Sequence, residues 1–399
     1  MPRVLSPCAI LATFEESEQI MTAMPLPQRY LTVRMNDLHA QYQQIKGEVD
    51  GALAQVMQEQ SFVLGPQVQR FEADFANYCK VGHCIGVSSG TDALVLALLA
   101  AGVGEGDEVI APALTFGATI EAICQVGARP VLCDIDPTHY TIDPEQVRRC
   151  LSDRTRAIVP VHLYGQVADM DGLSVLAAER DLVLVEDAAQ AQGARYRSEP
   201  AGSLGRVGCF SFYPGKNLGA YGDAGGITTD DDVLAERLRR LRNHGQVSGD
   251  KFNYREIGYN ARMDGFQGAV LSAKLPHLND WNERRRSIAT RYRTELGDLE
   301  CIAQPVEAQH VHHVYHLYVI RTPDRDNLAS SLRAAGVEAT VHYPHPMHLT
   351  PAFRLLGNGE GSLPVSEQVC REILSLPLYP EMSDEQIDWV IDAVWRHYT

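Results

Sequence analysis

Short apolar runs alternate with amphipathic or turn segments over residues 83–231. The runs are HCIGV, EVIAPA, PVLCDI, AIVPVHLYG, LVLVED, GCFSFYP and GGITTDD. Continuous apolar strands separated by helices are typical of a sheet that is covered on both faces. This part of the pattern therefore predicts α/β architecture.

The helical segments differ in how much surface they should bury. TDALVLALLAAG is apolar on most sides, with Thr91 and Asp92 as cap candidates and Gly102 at its end, which predicts a buried helix. Residues 232–245 and 264–296 are charged and amphipathic, and the second segment is predicted to be one long helix that links two lobes.

The C-terminal part has a different pattern. VYHLYVIR and VEATVHY alternate like strands, and DNLASSLRAAG between them is helical. We predict a large domain over residues 30–285 and a small α+β domain over residues 286–399. Residues 1–29 form an N-terminal extension; disorder is one interpretation of it, and a later start at Met21 or Met24 is another.

Composition and charge narrow the class of protein. The 399 residues are 45% hydrophobic and carry a net charge of −16, which disfavours a nucleic-acid or anionic-membrane partner. The longest apolar run, residues 93–103, is well below the roughly 20 residues that cross a bilayer. Nine cysteines lack a C-x-x-C spacing, so we expect reduced thiols in a cytoplasmic protein.

Candidate chemistry is concentrated in GCFSFYPGKNLGAYGDAGG and LVLVEDAAQAQGA. The first segment presents Lys216 in a glycine-rich turn after a strand, and the second ends a strand on Asp187. A lysine amine can form a Schiff base with an aldehyde cofactor, and a carboxylate can keep the ring nitrogen of pyridoxal phosphate protonated. A surface lysine and a strand-capping acid are the simpler interpretation of either residue alone.

Two nucleotide-binding motifs are excluded by spacing. Gly208 and Gly215 enclose six residues rather than four, and Asn217 follows Lys216 where a P-loop has Ser or Thr. In GVGEGD, Asp107 occupies the position of the third glycine of G-x-G-x-x-G. A nucleoside triphosphatase or a dinucleotide oxidoreductase is therefore poorly supported.

From about Asp37 to the C-terminus, the chain resembles the DegT/DnrJ/StrS-type sugar aminotransferases, which have the aspartate-aminotransferase fold (type I). The motifs that carry the resemblance are, in order, LGPQVQRFEADFANYC, SSGTDALVLAL, GDEVIAPALTFGAT, PVHLYGQ, VEDAAQAQGA, SFYPGKNLGAYGDAGG, LRNHGQ, IGYNARMD and VHYPHP. The resemblance implies a large domain with a mostly parallel seven-stranded sheet between helices, a smaller α+β C-terminal domain, and pyridoxal 5′-phosphate as cofactor.

The resemblance also implies how the cofactor is held. Gly90 and Thr91 match the loop that binds the cofactor phosphate, where a helix N-terminus favours an anion. Ser211 matches a phosphate-binding hydroxyl. Asn260 matches an asparagine that the partner subunit contributes to the same phosphate, which implies a homodimer with shared active sites.

Two further residues match positions around the cofactor ring. Phe116 matches the aromatic residue that stacks on the ring, although a core phenylalanine is the alternative. Gln190 matches the residue that approaches the ring hydroxyl. Lys216 and Asp187 complete this predicted set as the catalytic residues.

The histidine-rich segments HVHHVYH and HYPHPMH resemble metal clusters at first sight. Neither presents helix-spaced ligands together with an acidic general base, and prolines interrupt the second, so we expect no metal there. By resemblance, the residues predicted to line the sugar pocket are His162, Tyr221, His316, His342 and Tyr343.

The resemblance implies transfer of an amino group from an amino acid, L-glutamate, to a nucleotide-linked ketosugar. Family members that dehydrate carry histidine in place of the lysine, so Lys216 favours transamination. Members that act on 3-ketosugars tend to carry G-D-G where 4-keto enzymes carry G-E-G, and Gly222-Asp223-Ala224 is closer to the first. We expect a dTDP-linked 3-amino-3,6-dideoxyhexose; the alternatives are a 4-ketosugar or cyclitol aminotransferase and a non-catalytic regulator of the same fold.

Overall fold

The computed structural model describes residues 31–247 and 249–399. Its strands, in chain order, are β1 (His83–Val87), β2 (Glu108–Pro112), β3 (Arg129–Cys133), β4 (Thr155–Ile158), β5 (Val183–Asp187), β6 (Arg195–Tyr196), β7 (Glu199–Pro200), β8 (Val207–Ser211), β9 (Gly225–Thr229), β10 (Gln246–Val247), β11 (Asp250–Tyr254), β12 (Val311–His312), β13 (Tyr318–Arg321) and β14 (Ile373–Leu376).

The helices surround these strands. They are α1 (Leu38–Glu59), α2 (Pro66–Tyr78), α3 (Gly90–Ala100), α4 (Gly117–Gln125), α5 (Pro144–Cys150), α6 (Met170–Arg180), α7 (Asp232–Leu241), α8 (Gly265–Lys274), α9 (Leu278–Glu295), α10 (Arg325–Ala334), α11 (Pro364–Glu372) and α12 (Asp384–Tyr398), with short 3₁₀ helices at Leu163–Gly165, Leu275–His277, Met347–Leu349 and Pro351–Leu356. None of the helices in the described ranges is long and apolar enough to span a bilayer.

A seven-stranded sheet forms the centre of the large lobe, in the order β1-β9-β8-β5-β4-β2-β3. Only β9 runs antiparallel to its neighbours, and the remaining contacts are parallel. Strand β2 is buried at every position, as expected when helices cover both faces. The predicted α/β fold with a mostly parallel seven-stranded sheet is confirmed.

Helix α3 is buried along most of its length, as its apolar sequence predicts. Its cap is not Thr91 or Asp92, which lie inside the helix, but Ser89, whose side chain accepts a hydrogen bond from the Asp92 N–H at 3.0 Å. Gly102 follows the helix with a φ of +85°, a left-handed conformation that glycine adopts without steric cost. The helix therefore begins directly at the edge of the sheet.

The segment predicted as one helix over 264–296 consists of two helices. Helix α8 ends at Lys274, a 3₁₀ turn contains Pro276, and α9 starts at Leu278. Proline has no N–H for the helical ladder and its ring crowds the preceding turn, so the α-helix is interrupted there.

The C-terminal part contains the two-stranded sheet of β13 and β14 with helices packed on it. The segment VEATVHY, which was predicted as a strand, forms only isolated bridges at Val337 and Thr340. The apolar cluster of the C-terminal part includes residues of α9, α10 and α12 and also Val33 near the start of the described chain, where Val33 pairs with Val337. The predicted boundary at residue 285 falls inside α9 and stays a prediction. The predicted extension, residues 1–29, lies outside the described residues.

Candidate active site

A cavity of about 700 Å³ opens at the carboxyl ends of the central strands and reaches the C-terminal part. In an open α/β sheet, this edge is where ligands bind. The predicted site residues that line the cavity are Gly90, Thr91, Phe116, Asp187, Gln190, Ser211, Lys216, His316, His342 and Tyr343. Ten residues from separate motifs thus meet around one space.

Lys216 lies in the turn that follows β8. Its backbone N–H donates to the Tyr213 carbonyl at 2.8 Å, which fixes the start of the turn. Three residues later, Gly219 approaches the Pro214 carbonyl so closely that a Cβ would lie 2.3 Å from its oxygen. Burial lowers the pKa of the Lys216 ammonium to about 8, although the charge of Asp187 acts in the opposite direction. With this pKa, roughly a tenth of the amine is neutral at pH 7, against less than about a thousandth for an ordinary lysine.

Asp187 is the last residue of β5 and is buried. Its Oδ2 accepts a hydrogen bond from the Thr119 hydroxyl at 2.8 Å, and its Oδ1 accepts one from the Ala189 N–H at 3.2 Å. Burial raises the pKa of this carboxyl, while these donors and Lys216 act to lower it. A buried carboxylate of this kind suits a cationic partner such as a protonated ring nitrogen.

The N-terminus of α3 faces the same cavity through Gly90 and Thr91. The first N–H groups of a helix have no acceptor within it, and the helix dipole favours an anion at this end. A Cβ on Gly90 would lie 2.6 Å from the Cβ of Ser211, so only glycine allows the helix end and β8 to approach this closely. The charge and geometry of this arrangement suit an anion such as a phosphate group.

Gln190, Phe116 and Tyr343 form one side of the cavity. The Gln190 side chain accepts from the Tyr164 N–H at 2.6 Å and donates to the Tyr343 hydroxyl at 3.0 Å, which fixes the amide orientation. The rings of Phe116 and Tyr343 are 5.8 Å apart, and Phe116 remains 59% exposed. An exposed aromatic face at a cavity is available to stack on a flat ligand.

His316 and His342 carry no charge at neutral pH. Burial, with the charge of Lys216 nearby, lowers the pKa of His342 to about 4 and that of His316 well below its usual range. The amide nitrogen of Asn217 donates to other groups, so its oxygen accepts from Nδ1–H of His316 at 3.1 Å. In the neutral ring, Nε2 of His316 is therefore the hydrogen-bond acceptor.

Three predicted site residues do not reach this cavity. His162 is fully buried, accepts the Ala168 N–H at Nδ1 and donates from Nε2 to Glu186 at 2.9 Å. The prediction that it lines the sugar pocket is wrong for this structure. Tyr221 lies outside the cavity, with the ammonium of Lys274 4.3 Å from its ring centre. Asn260 is exposed and pairs with Asn243.

The sequence reasoning did not identify three residues at the site. Thr119 donates to Asp187, Thr115 donates to or accepts from Thr119 at 2.7 Å, and Arg285 lines the cavity. Arg285 donates to the carbonyls of Tyr315, His316 and Leu378, and burial lowers its pKa to about 10. No local pattern marked the two threonines of TFGAT, because Thr115 precedes α4 and Thr119 meets Asp187 only in the folded chain.

These residues fit pyridoxal 5′-phosphate. Lys216 would offer an amine to the aldehyde, Asp187 would offer an anion to the ring nitrogen, and Gly90, Thr91 and Ser211 would surround the phosphate. No group of three or more residues suited to a metal ion occurs in the described ranges.

Three histidines of the two histidine-rich segments form side-chain hydrogen bonds with neighbouring protein groups. His342 bonds Ser375 at 2.8 Å, His348 bonds Glu367 at 3.0 Å, and His313 accepts from the Tyr315 N–H at 2.9 Å. In each of these three side chains, one ring nitrogen is thus bonded to a protein group.

Comparisons with known proteins identify the family of the chain. The sequence profile of the DegT/DnrJ/EryC1/StrS aminotransferase family matches residues 43–395. The pleiotropic regulatory protein of Geobacillus stearothermophilus is 47% identical over 375 residues, which are 92% of this chain and 100% of that one. The dTDP-3-amino-3,4,6-trideoxy-α-D-glucose transaminase of Streptomyces venezuelae is 48% identical over 358 residues, 90% of this chain and 94% of that one.

The crystal structure of Streptomyces venezuelae DesV in complex with a ketimine intermediate superposes with a TM-score of 0.89 at 47% identity. The match covers 92% of this chain and 98% of that one. The resemblance inferred from the nine motifs is thus confirmed over nearly the whole described chain. The chain belongs to the DegT/DnrJ/EryC1/StrS aminotransferase family, and its cofactor is pyridoxal 5′-phosphate.

Proposed function

We propose that this aminotransferase moves the amino group of L-glutamate to a dTDP-linked 3-keto-6-deoxyhexose and forms a 3-amino sugar for antibiotic or surface-glycan biosynthesis. The observation that carries the proposal is that Lys216, Asp187 and the N-terminus of α3 share one cavity. The relative named for a dTDP-3-amino-trideoxyglucose supports a nucleotide-linked amino sugar. Asp223, the acid of Gly-Asp-Ala, also lines the cavity.

When bound, the cofactor supplies an electron sink for the substrate carbon that carries nitrogen. Lys216 would hold the cofactor and, once displaced, accept and return a proton at that carbon, for which a pKa of about 8 is well suited. Asp187 would hold the ring nitrogen in its protonated state. Gly90, Thr91 and Ser211 would fix the phosphate, and Phe116 and Gln190 the ring.

We assign sugar contacts to His316, His342 and Tyr343. The two histidines are neutral, so they would offer hydrogen bonds to hydroxyl groups rather than a charge. Tyr343 is held by Gln190 and could therefore align the sugar with the cofactor ring. A neutral, hydrogen-bonding wall suits a deoxyhexose, which has no ionised group on the ring.

The test is turnover by the purified holoenzyme with L-glutamate and a panel of 3-keto and 4-keto nucleotide sugars and ketocyclitols, with products identified by NMR. We expect a 3-amino product from the dTDP-linked 3-keto sugar. Lys216→Ala should be inactive, and Lys80→Ala, which changes an exposed lysine, should behave like the wild type. A 4-amino sugar or an aminocyclitol would replace the proposal with one of the alternatives. A wild-type protein with no turnover of any member would favour a regulator, as the name of one relative suggests.

The working unit would be a homodimer in which Asn260 contributes to the phosphate site of its partner. Asn260 is exposed and lies outside the cavity of its own chain. Nearby large apolar side chains are also exposed, notably Phe252 at 81% and Ile257 at 93%. Such a patch is typical of a protein–protein interface.

Mixing experiments test the shared site. Lys216→Ala and Asn260→Asp chains are co-assembled, and a hybrid dimer then contains one intact site and one doubly altered site. Random assembly of two chains should restore about a quarter of the wild-type sites. Confirmed hybrids without recovery would place Asn260 in its own subunit's site or outside any site.

We propose a cytoplasmic location. The cysteines in the described part of the chain are free thiols, and five of the eight are buried, as is common in a reducing compartment. Fractionation of producing cells tests this: we expect the protein with cytosolic markers, and recovery from an oxidising compartment or from membranes would contradict it.

A further inference from the structure

Two threonine hydroxyls lead from the cavity to the buried carboxylate of Asp187. The Thr115 and Thr119 hydroxyl oxygens are 2.7 Å apart, and Thr119 Oγ1 is 2.8 Å from Asp187 Oδ2. Both threonines are 1% exposed. Thr115 follows β2 and lines the cavity, and Thr119 lies in the first turn of α4. The two hydroxyls thus form a hydrogen-bonded chain from the end of β2 through α4 to the end of β5.

The direction of donation follows from the acceptor at its end. An ionised carboxylate can only accept, so the Thr119 hydroxyl must donate its single proton to Asp187. The Thr119 oxygen is then free to accept from the Thr115 hydroxyl. A protonated Asp187 could itself donate a hydrogen bond, and the direction of donation from Thr115 through Thr119 would then no longer be required. The two hydroxyls therefore favour the ionised form of Asp187.

The donors leave room for a cationic partner. Each oxygen of Asp187 receives one hydrogen bond from the protein, from Thr119 at Oδ2 and from the Ala189 N–H at Oδ1. A carboxylate has about four lone-pair sites, so one at each oxygen remains for a ring N–H in the cavity. Burial raises the pKa of this carboxyl and so disfavours its charged form. The hydrogen bond from the Thr119 hydroxyl lowers the pKa and so favours the charged form.

We propose that Thr119, supported by Thr115, is a positioning residue that keeps Asp187 ionised and aimed at the ring nitrogen of the cofactor. This inference rests on the role of Asp187 in the proposed function. Thr119 itself touches neither the substrate nor the reacting atoms and acts through Asp187.

Other groups around Asp187 can affect the same titration. The titratable groups close enough to influence it, or to be influenced by it, are Lys216 after β8, His162 after β4, Cys209 on β8 and Tyr343 in the C-terminal part. All of them are retained in the variants below, so a change in the pH profile can be assigned to the threonines.

The experiment compares Thr119→Val, which keeps the shape and removes the hydroxyl, with Thr119→Ser, which keeps the hydroxyl. The holoenzymes are followed by the pH dependence of cofactor absorbance and by the rate of the half-reaction with L-glutamate alone. We expect Thr119→Val to slow the half-reaction about 10- to 100-fold, as for loss of a hydrogen bond to a charged group, and to narrow the pH range over which the ring nitrogen stays protonated. Thr119→Ser should restore both.

The matched control is Thr228→Val, which removes a buried threonine hydroxyl that donates to the Gly202 carbonyl at 2.7 Å outside the cavity. It should leave the pH profile unchanged. The second comparison uses an Asp187→Asn background, in which Thr119→Val should cause little further loss, since coupled residues are not additive. Equal losses in both backgrounds, or an unchanged pH profile in Thr119→Val, would overturn the proposal.

If Thr119→Val does not fold, Thr115→Val carries the test. This variant removes the Thr115 hydroxyl and leaves the hydrogen bond from Thr119 to Asp187. We therefore expect a smaller change in the same direction. An unchanged pH profile would reject the role of the hydroxyl chain. No sugar is used, so failure to aminate a ketosugar does not affect this result. If the protein bound no cofactor, the proposed function would fail, but the apoprotein could still test the role of Thr119. Thr119→Val should then alter the pH dependence of the stability of the apoprotein. The same substitution should leave that pH dependence unchanged in the Asp187→Asn background.

Discussion

The buried amine of Lys216 should cost the apoprotein stability, and replacing it by methionine should stabilise the fold. A lysine ammonium loses hydration when buried, and its pKa falls from 10.5 to about 8 because burial penalises the charge. Methionine has a similar length and no charge. In the apoprotein, Lys216→Met therefore removes a cost that the wild type tolerates for the sake of its chemistry.

The size of the effect follows from the shift in pKa. At 1.36 kcal/mol per pH unit, the difference between 10.5 and about 8 corresponds to about 3 kcal/mol. This is an upper value, because the side chain borders the cavity and keeps part of its exposure. Below pH 8 both the folded and unfolded chains bind the proton, so the full cost applies. Between pH 8 and 10.5 the unfolded chain binds more protons, so the stability of the wild type rises relative to Lys216→Met and the difference disappears.

The assay is urea unfolding of the apoproteins from pH 6.5 to 10.5 at matched protein concentration. Lys216→Met should be more stable than the wild type by about 2 to 3 kcal/mol near pH 7, and the difference should close above pH 10. Lys80→Met, at an exposed lysine, should differ from the wild type by less than about 1 kcal/mol. A wild type that is more stable than Lys216→Met at pH 7, or a difference that does not change with pH, would refute the reasoning.

Three further predictions concern the same site. Borohydride reduction of the holoenzyme followed by peptide mapping should find the pyridoxyl group on Lys216. Its recovery on Lys80 or Lys274 would show that Lys216 is not the residue that binds the cofactor covalently. Asp187→Asn should retain the cofactor and lose most of the glutamate half-reaction, since an amide cannot stabilise a protonated ring nitrogen; near-normal rates would mean another partner for that nitrogen. Lys274→Met should slow the same half-reaction, because the buried Lys274 ammonium donates to the Gly219 carbonyl at 2.8 Å in the turn after Lys216; rates equal to the wild type would show that the turn holds without it.

Most of the predicted strands and most of the cavity residues could be recognised because local sequence determines them. Lys216 follows β8 within one turn, and Asp187 is the last residue of an apolar strand, so each position is set by a few neighbouring residues. The helix start at Gly90 likewise follows directly from β1 through two serines. Such positions can be predicted before the long-range packing is known.

The prediction for His162 failed because a strand alternates its faces. Glu186 and Asp187 are neighbours on β5, and successive side chains of a strand point to opposite faces. His162 bonds Glu186, which also accepts from the N–H groups of Gly202, Leu204 and Gly205. The histidine therefore lies beside Glu186, on the face of β5 that points away from the cavity. The motif PVHLYGQ does not indicate on which face of the sheet the histidine lies.

The hydroxyl chain to Asp187 was beyond sequence reasoning for a different reason. Thr119 and Asp187 are 68 positions apart, and they meet only because α4 starts at the same sheet edge where β5 ends. A threonine on a buried helix face is ordinarily part of the core, so its residue type carries no signal of this contact. A local sequence pattern can identify Asp187 as the charged residue. The hydroxyl donor that stabilises its charge comes from another element, and only the fold defines the relative position of the two elements. The Thr119→Val comparison is therefore the point at which the structure adds a testable claim that the motifs could not have supplied.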